Sequence, residues 1–239
     1  MQNKWNPNPK NFEGTFGNEA SFKGFYYGIL GYLPDEPCKI LILPGPKQGE
    51  LALALEDAGY EAVKLTDLDH EIPGFLAAKL EDVPKESFGV IISPGWHEAE
   101  GEAEKFARQA YRILVDGGMY FGLVASRFAA SLDYTGCSVS KSFSITNGIE
   151  GGEWLDSKDL FTPNDIAILL EALLFEVTDL FGWQIAIHNL PEEKLLSEKW
   201  ESDEMDKLME LEFRLAQERT IMGTAPTIQF VAKKPLGTQ

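Results

Sequence analysis

The stretch "CKILILPGPKQGELALALEDAGYEAVKLTDLD", Cys38 to Asp69, decides the fold that we predict from the sequence. Its apolar start, KILIL, is typical of a short strand that is buried on both faces. A glycine-bearing turn, PGPKQG, follows, and then an alanine- and leucine-rich helix that ends at Gly59. A second strand, YEAVKL, leads to an acidic end. This order predicts the first βαβ half of a sheet that binds a nucleotide-type cofactor.

The rest of the chain continues the alternation of strands and helices. Apolar runs predict further strands at SFGVIIS, MYFGLVAS, FEVTDLFGW, QIAIHNL and TIQFVAKKP. Helical patterns cover Glu98–Leu114, the segment that begins at Thr162-Pro163, and most of the acidic stretch 191–219. Such alternation predicts an α/β sandwich, a mostly parallel sheet with helices on both faces. Ligands of these sheets bind outside the carboxyl ends of the strands, which places the turn PGPKQG at the expected site.

The domain organisation that we expect is one α/β domain with an N-terminal cover. Residues 1–37 are rich in turn-forming residues and scattered aromatics, which predicts a helical and loop cover, and residues 38–239 form the domain. A polar, glycine-bearing stretch at 127–160 interrupts the alternation. Loops of this length are usually functional lids or locally ordered insertions. An acidic helical segment is expected at 191–222.

Composition narrows the classes of function. The chain has 239 residues and a formal net charge of -17, so we expect neither nucleic acid nor an anionic membrane as a partner, since both require a basic surface. Two cysteines and three histidines, far apart in sequence, form no disulfide framework and no zinc pattern. The polar, proline-broken N-terminus is unlike a secretory signal, and we expect a cytoplasmic protein.

In the order and spacing of several motifs, the sequence from Lys39 onward resembles the class I S-adenosylmethionine-dependent methyltransferases. The first motif of that family is an acid followed by three alternating glycines before a helix, and LPGPKQGELALAL aligns with it without a gap. Gly45 and Gly49 take the first and third glycine positions. Lys47 stands at the middle one, and Leu43 stands at the acid. Glycines let the backbone approach a ligand, and amides at a helix N-terminus face it. The alternative is an ordinary tight strand-to-helix turn.

The resemblance implies a Rossmann-like fold with a seven-stranded sheet, and it assigns cofactor binding to three segments. The residues concerned are Gly45, Lys47, Gly49, Asp67, Leu68, Asp82, Val83 and Ser93. In the family, an acid at the end of the second strand accepts hydrogen bonds from the ribose hydroxyls, a role implied for Asp67, with Asp69 as the alternative. An acid and an apolar residue flank the adenine, which implies that role for Asp82 and Val83.

Catalytic candidates follow the third strand. Ser93-Pro94-Gly95-Trp96 resembles the proline-proline-aromatic segment that some amino-methylating members place beside the target nitrogen, with Gly95 replacing the second proline. The adjacent His97 lies among carboxylates, where a general base with a pKa near neutrality is possible. The alternatives are a packed tryptophan in a turn and a surface histidine at a helix start.

The function that the resemblance implies is methyl transfer from S-adenosylmethionine to a small molecule or a protein side chain, with S-adenosylhomocysteine as product. Leu43 and Lys47 favour two alternatives. One is a methyltransferase-like fold without activity that serves as a binding or assembly module. The other is a fold that binds a different anionic nucleotide through Lys47. The sequence does not indicate an oligomeric state.

Overall fold

A computed structural model describes residues 24–26, 28–45, 47–65, 80–94, 103–135, 138–149, 160–190 and 202–237. Seven strands are formed within these ranges. They are β1 (Lys39–Ile42), β2 (Glu61–Lys64), β3 (Phe88–Ser93), β4 (Leu114–Ser126), β5 (Leu160–Phe161), β6 (Glu176–Trp183) and β7 (Thr227–Lys233). The predicted strands KILIL, YEAVKL, SFGVIIS, FEVTDLFGW and TIQFVAKKP are thereby confirmed.

The strands form one sheet in the order β2-β1-β3-β4-β7-β6, and β5 pairs with β4. The pairs β1–β2, β1–β3, β3–β4 and β4–β5 are parallel. Strand β7 runs antiparallel to β4, because Gly117 N donates to Lys234 O whereas Ser126 N donates to Pro226 O. The fold class that we predicted, a seven-stranded, mostly parallel α/β sheet, is confirmed.

Seven α-helices lie wholly within the described ranges, and helical residues also occur at 24–26, 28–30 and 80–81. The seven are α1 (Gln48–Asp57), α2 (Ala103–Ile113), α3 (Arg127–Thr135), α4 (Val139–Thr146), α5 (Pro163–Ala172), α6 (Ile185–His188) and α7 (Ser202–Ala216), with a 3-10 turn at Met222–Thr224. None of these helices is long and apolar enough to span a bilayer.

One predicted strand is wrong. The segment QIAIHNL forms the short helix α6 instead of a strand, and it begins after Gln184, whose backbone is left-handed at φ 70°. The carboxylate of Glu212, on α7, accepts hydrogen bonds from Ile187 N at 2.7 Å and Ile185 N at 3.2 Å. Because this carboxylate satisfies amides that a helix leaves unpaired at its N-terminus, it stabilises a helical turn that the local sequence alone does not favour.

The start of β4 also differs from the prediction. The strand begins at Leu114, which we predicted as the end of the helix, and includes residues 115–118, which precede the predicted strand MYFGLVAS. A bulge accommodates these residues, since Leu114 pairs with Phe88 while Met119 pairs with Val90. Gly117 lies inside the bulge with φ 79°, a conformation that favours glycine.

The chain divides into two compact units. The first consists of residues up to Gly28 together with Val124–Pro163 and Leu180–Gln229. The second consists of Ile29–Leu123, Asn164–Asp179 and the segment from Phe230. The predicted boundary between a cover (1–37) and a domain (38–239) stays a prediction.

In the second unit, aromatic rings fill the space beside β4. The Tyr120 and Phe230 rings are fully buried, with centroids 4.9 Å apart. A Cβ on Gly122 would lie 2.3 Å from the Phe230 ring, so this strand position requires the absence of a side chain.

In the first unit, α3 and α4 occupy part of the 127–160 interruption and pack as an antiparallel pair. Ser131 Oγ lies 2.9 Å from Ser142 Oγ and also contacts Thr146, while Thr135 Oγ1 lies 3.1 Å from Ser142 Oγ. The described part of the interruption is therefore an ordered pair of helices, stabilised by hydroxyl hydrogen bonds, and its status as an insertion stays a prediction.

Candidate cofactor site

The carboxyl ends of β1, β2 and β3 lie side by side. Leu43 N, just past β1, donates to Ile92 O on β3 at 2.8 Å, and Leu65 N, just past β2, donates to Ile42 O at 2.9 Å. In open α/β sheets this edge is where ligands bind. The turn PGPKQG leaves the sheet from the centre of this edge.

In this turn, a lysine adopts a backbone conformation that usually requires glycine. Lys47 has φ 54° and ψ 27°, in the left-handed region, and is the N-cap residue of α1. Gln48 N donates to Gly45 O at 3.3 Å, and Leu51 N makes the first intrahelical bond, to Lys47 O at 2.9 Å. A non-glycine residue in this conformation costs on the order of 1–2 kcal/mol, which the surrounding structure must offset.

The ammonium group of Lys47 stays beside its own helix. Lys47 Nζ lies 3.2 Å from Glu50 Oε2, and the side-chain exposed fractions are 25% and 60%. This ion pair places a carboxylate in the first turn of α1, next to the only cationic side chain of the turn. Glu50 therefore offsets the positive charge that Lys47 would offer to an anionic ligand.

Beside Gly49 the protein leaves open space. A Cβ built on Gly49 would meet no other atom within 4 Å. The amides of Gly49 and Glu50 precede the first intrahelical hydrogen bond, so α1 itself provides no acceptor for them. The backbone at this position therefore fits the close approach of a ligand group.

Gln48, which sequence reasoning missed, connects the two strand ends. Its Nε2 donates to Ile42 O at 2.9 Å and to Leu65 O at 3.3 Å. No sequence signal distinguishes this glutamine from a solvent-facing residue at the first helical position. Its contacts arise only because β1 and β2 meet in register.

The two remaining motif positions on this edge are buried. Leu43, at the acid position, has 1% of its surface exposed and belongs to the hydrophobic core. Ser93, the last residue of β3, is 2% exposed and pairs with Gly122. Leu43 thus contributes packing where the family motif has a carboxylate, and Ser93 has a small polar side chain at the binding edge.

The structure does not bring Asp82 and Val83 to the glycine turn. They lie in a turn before the amino end of β3, and Arg112, near the end of α2, donates to the carbonyl of Leu80 at 2.6 Å. Strand β3 separates this turn from the binding edge by roughly 17 Å, at about 3.3 Å per residue. We therefore leave both residues out of the proposed cofactor site. Asp67, Leu68, Trp96 and His97 lie outside the described residues.

Comparison with solved structures identifies the architecture. The candidate methyltransferase of Haloferax volcanii, solved in complex with the Trm112 methyltransferase activator, superposes with a TM-score of 0.52 at 14% identity, covering 93% of each chain. A SAM-dependent methyltransferase from Methanosarcina mazei gives a TM-score of 0.51 at 15% identity, covering 87% of this chain and 97% of the other. The chain has a methyltransferase fold. No family model and no curated protein matches the sequence.

The class I methyltransferase fold that the motif order predicted is thus confirmed, whereas the roles of individual site residues stay predictions. Within this methyltransferase fold, the described part of the site consists of the turn, the first turn of α1 and the ends of β1 and β3. A left-handed residue, Lys47, precedes α1, and Leu43 and Lys47 differ from the motif that the resemblance predicts.

Proposed function

We propose that the protein binds S-adenosylmethionine at the glycine turn and transfers its methyl group to a small molecule or a protein side chain. The observation that carries this proposal is the open space beside Gly49, at the N-terminus of α1, in a chain that has the methyltransferase fold. Lys47 keeps the left-handed backbone that a glycine would have there, so its side chain does not alter the path of the loop.

The cofactor supplies an electrophilic methyl group on a sulfonium centre. In our proposal the chain binds and orients this group. The turn and the amides of Gly49 and Glu50 face one end of the cofactor, Ser93 contributes a buried hydroxyl nearby, and Asp67 with Leu68 holds the ribose. Most of the acceleration would come from alignment of the acceptor, because holding two reactants in line removes much of the entropic barrier.

Trp96 and His97 are proposed as acceptor-side residues. They follow β3, whose carboxyl end lies on the binding edge, after Ser93 and Pro94. In this proposal Trp96 packs against the acceptor, and His97 removes a proton where the acceptor requires it. With a formal net charge of -17, nucleic acid is the least suitable acceptor class.

A second candidate function is that of a methyltransferase fold that binds a partner without transferring methyl groups. The observations that favour it are the burial of Leu43 at the acid position and the pairing of Lys47 with Glu50. The Haloferax volcanii protein of this fold was solved in a complex with an activator, which gives a precedent for a protein partner.

Calorimetric titration with S-adenosylmethionine and S-adenosylhomocysteine tests the proposal, with ATP as the comparison ligand for an anionic-nucleotide site. We expect both sulfur ligands to bind the wild type and ATP not to bind, since Glu50 would repel its phosphates. Gly49→Ala should weaken binding at least tenfold, or about 1.4 kcal/mol, because the new methyl group occupies the open space. Its folding stability should not fall, since the methyl group meets no protein atom and alanine favours a helix.

Gly31→Ala is the matched control, because a Cβ on Gly31 also meets nothing within 4 Å. It should leave both affinity and stability close to those of the wild type. Absence of heat and of a thermal shift with both sulfur ligands at millimolar concentration would contradict methyl transfer and favour the second candidate. Equal affinities of Gly49→Ala and wild type would remove the turn from the site.

A further inference from the structure

Exposed large apolar side chains are concentrated on the helical pair α3–α4 of the first unit. Five of them lie between residues 127 and 149: Phe128, Leu132, Val139, Phe143 and Ile149. Val139 leaves 72% of its surface exposed, and Phe143 leaves 66% exposed. A contiguous apolar patch is uncommon on a monomeric protein and usually marks an interaction site, so the arrangement of these side chains matters.

Four of the five side chains point to the same side of the pair. The two helices meet at Ser131 and Ser142, whose Oγ atoms lie 2.9 Å apart. Each serine has an exposed apolar residue three positions before it and another one position after it: Phe128 and Leu132 on α3, Val139 and Phe143 on α4. At about 100° per residue, these positions lie about 60° and about 100° from the serine in the same rotational sense. Because the helices are antiparallel, equal rotations point to one side, which we call the outer face.

The opposite side of the pair packs on its own unit. Ala130 and Ile145 lie at the opposite rotation from the two serines, and both are fully buried. They form one core cluster with Ala125 of β4 and Leu160 of β5. The pair is therefore apolar on both sides, and the core of the first unit accounts for only one of them.

The outer face belongs to a segment with few charges for so acidic a chain. Residues 127–149 contain three charged side chains, Arg127, Asp133 and Lys141, with a net charge of +1, so the other residues carry -17 minus +1, or -18. Asp133 Oδ1 lies 3.3 Å from His188 Nε2 within the same unit. Depletion of charged residues distinguishes the core of a protein interface from the rest of the surface. Such a face fits a partner surface that is also apolar and nearly uncharged, since an opposing charge would be desolvated without a counter-charge.

We infer that the outer face pairs with the outer face of a second copy of the chain, around a two-fold axis. A two-fold axis brings the same patch of both copies together, so the apolar, nearly uncharged surface that the face requires is provided by the chain itself. Taking about 200 Å² for a fully exposed large side chain, the five side chains expose roughly 600 Å². A standard interface buries about 800 Å² per partner, of which about 60% is apolar, so the face provides the apolar area that a stable dimer requires.

Sedimentation equilibrium of the full chain tests this inference. From low micromolar to about a hundred micromolar chain, we expect the wild type to pass from monomer to dimer. Phe143→Ser and Leu132→Ser, one on each helix, should each weaken dimerisation at least tenfold, because each removes apolar area from the contact. Raising the salt from about 50 mM to about 500 mM should strengthen the wild-type dimer, since salt screens the repulsion between two acidic chains.

Ile168→Ser is the matched control. Ile168 lies on α5, in the second unit, and is 56% exposed, close to the 57% of Leu132. This variant should keep the wild-type dimerisation constant. Thermal unfolding followed by circular dichroism in dilute solution, where the wild type is monomeric, should give all three variants nearly the wild-type midpoint, because the replaced side chains are exposed. Should one variant of the outer face not fold, the other provides the measurement.

A wild type that stays monomeric at every concentration would overturn the inference. So would a dimer that both substitutions in the outer face leave intact, since its contact would then lie elsewhere. A dimer that salt weakens would depend on ion pairs between the copies, which this nearly uncharged face does not provide. A monomer that Phe143→Ser destabilises would show that another segment of the same chain covers the face. None of these outcomes concerns the cofactor, so the proposed function stands or falls separately.

Discussion

Replacement of Lys47 by glycine tests whether the turn is held in a shape that lysine resists. Lys47 has φ 54° and ψ 27° at the N-cap of α1, and its ammonium group lies 3.2 Å from the Glu50 carboxylate. Lys47→Gly removes both the steric strain and the ion pair. Lys47→Ala removes only the ion pair, so the difference between these two variants isolates the backbone effect.

The magnitude follows from two opposing terms. The left-handed conformation costs a residue with a Cβ about 1–2 kcal/mol. Glycine loses about 0.4–1 kcal/mol more than alanine through the entropy of the unfolded chain. We therefore expect Lys47→Gly to be more stable than Lys47→Ala by about 1 kcal/mol. The partly exposed Lys47–Glu50 pair contributes about 0.2–1 kcal/mol, and its loss is common to both variants.

Urea unfolding at constant ionic strength measures this difference, and thermal unfolding should show a gap of about 2–4 °C between the two variants. Titration with S-adenosylhomocysteine should show that Lys47→Gly binds at least as tightly as the wild type, because the loop keeps its path and loses bulk. If Lys47→Ala were as stable as Lys47→Gly, the residue would not be strained, and the resemblance of the turn to a glycine motif would lose its physical basis.

Two further substitutions test the packing of each unit. Gly122→Ala should lower the free energy of unfolding by about 1–3 kcal/mol in urea titrations, since its Cβ would lie 2.3 Å from the buried Phe230 ring, whereas Gly31→Ala should have no comparable effect. An unchanged midpoint for Gly122→Ala would contradict the packing of β4 against β7. Burial raises the pKa of the Glu212 carboxyl, although the amides it accepts from act in the opposite direction. As pH rises from the ordinary carboxyl pKa of about 4.3 through the raised value, the folded state keeps a proton that the unfolded state has released, so stability falls. Glu212→Gln should remove this pH dependence, so the wild type should lose more stability than the variant between about pH 5 and about pH 8. An equal loss in both proteins would contradict this expectation.

Local pattern was sufficient to predict the elements that carry their own signals. Strand β1 is apolar after Lys39, α1 ends at Asp57, two residues before Gly59, and Pro163 starts α5 at its first position. The order of these elements predicted the parallel sheet, because a helix between two strands usually forms a right-handed crossover that leaves the strands parallel. The position of the candidate site followed from that order, since the ends of the first strands define the binding edge.

Features that depend on residues distant in sequence could not be predicted in this way. We predicted a strand at QIAIHNL, yet Glu212, 25 residues after Ile187, stabilises it as a helix. Gln48 donates a hydrogen bond to a carbonyl 17 residues away, and no pattern in the neighbouring sequence predicts that contact. Asp82 and Val83 were assigned by motif order alone, although they precede β3 in the chain and therefore lie at its amino end, opposite the binding edge.

The departures of the turn from the glycine motif concern its side chains more than its backbone. A left-handed residue without glycine persists only where the surrounding structure imposes it, and here the bond from Gln48 N to Gly45 O and the start of α1 impose it on Lys47. Gly49, at the next motif position, leaves space that no side chain of the described residues fills. Since Glu50 offsets the charge of Lys47, the proposed site would favour a ligand without phosphate groups.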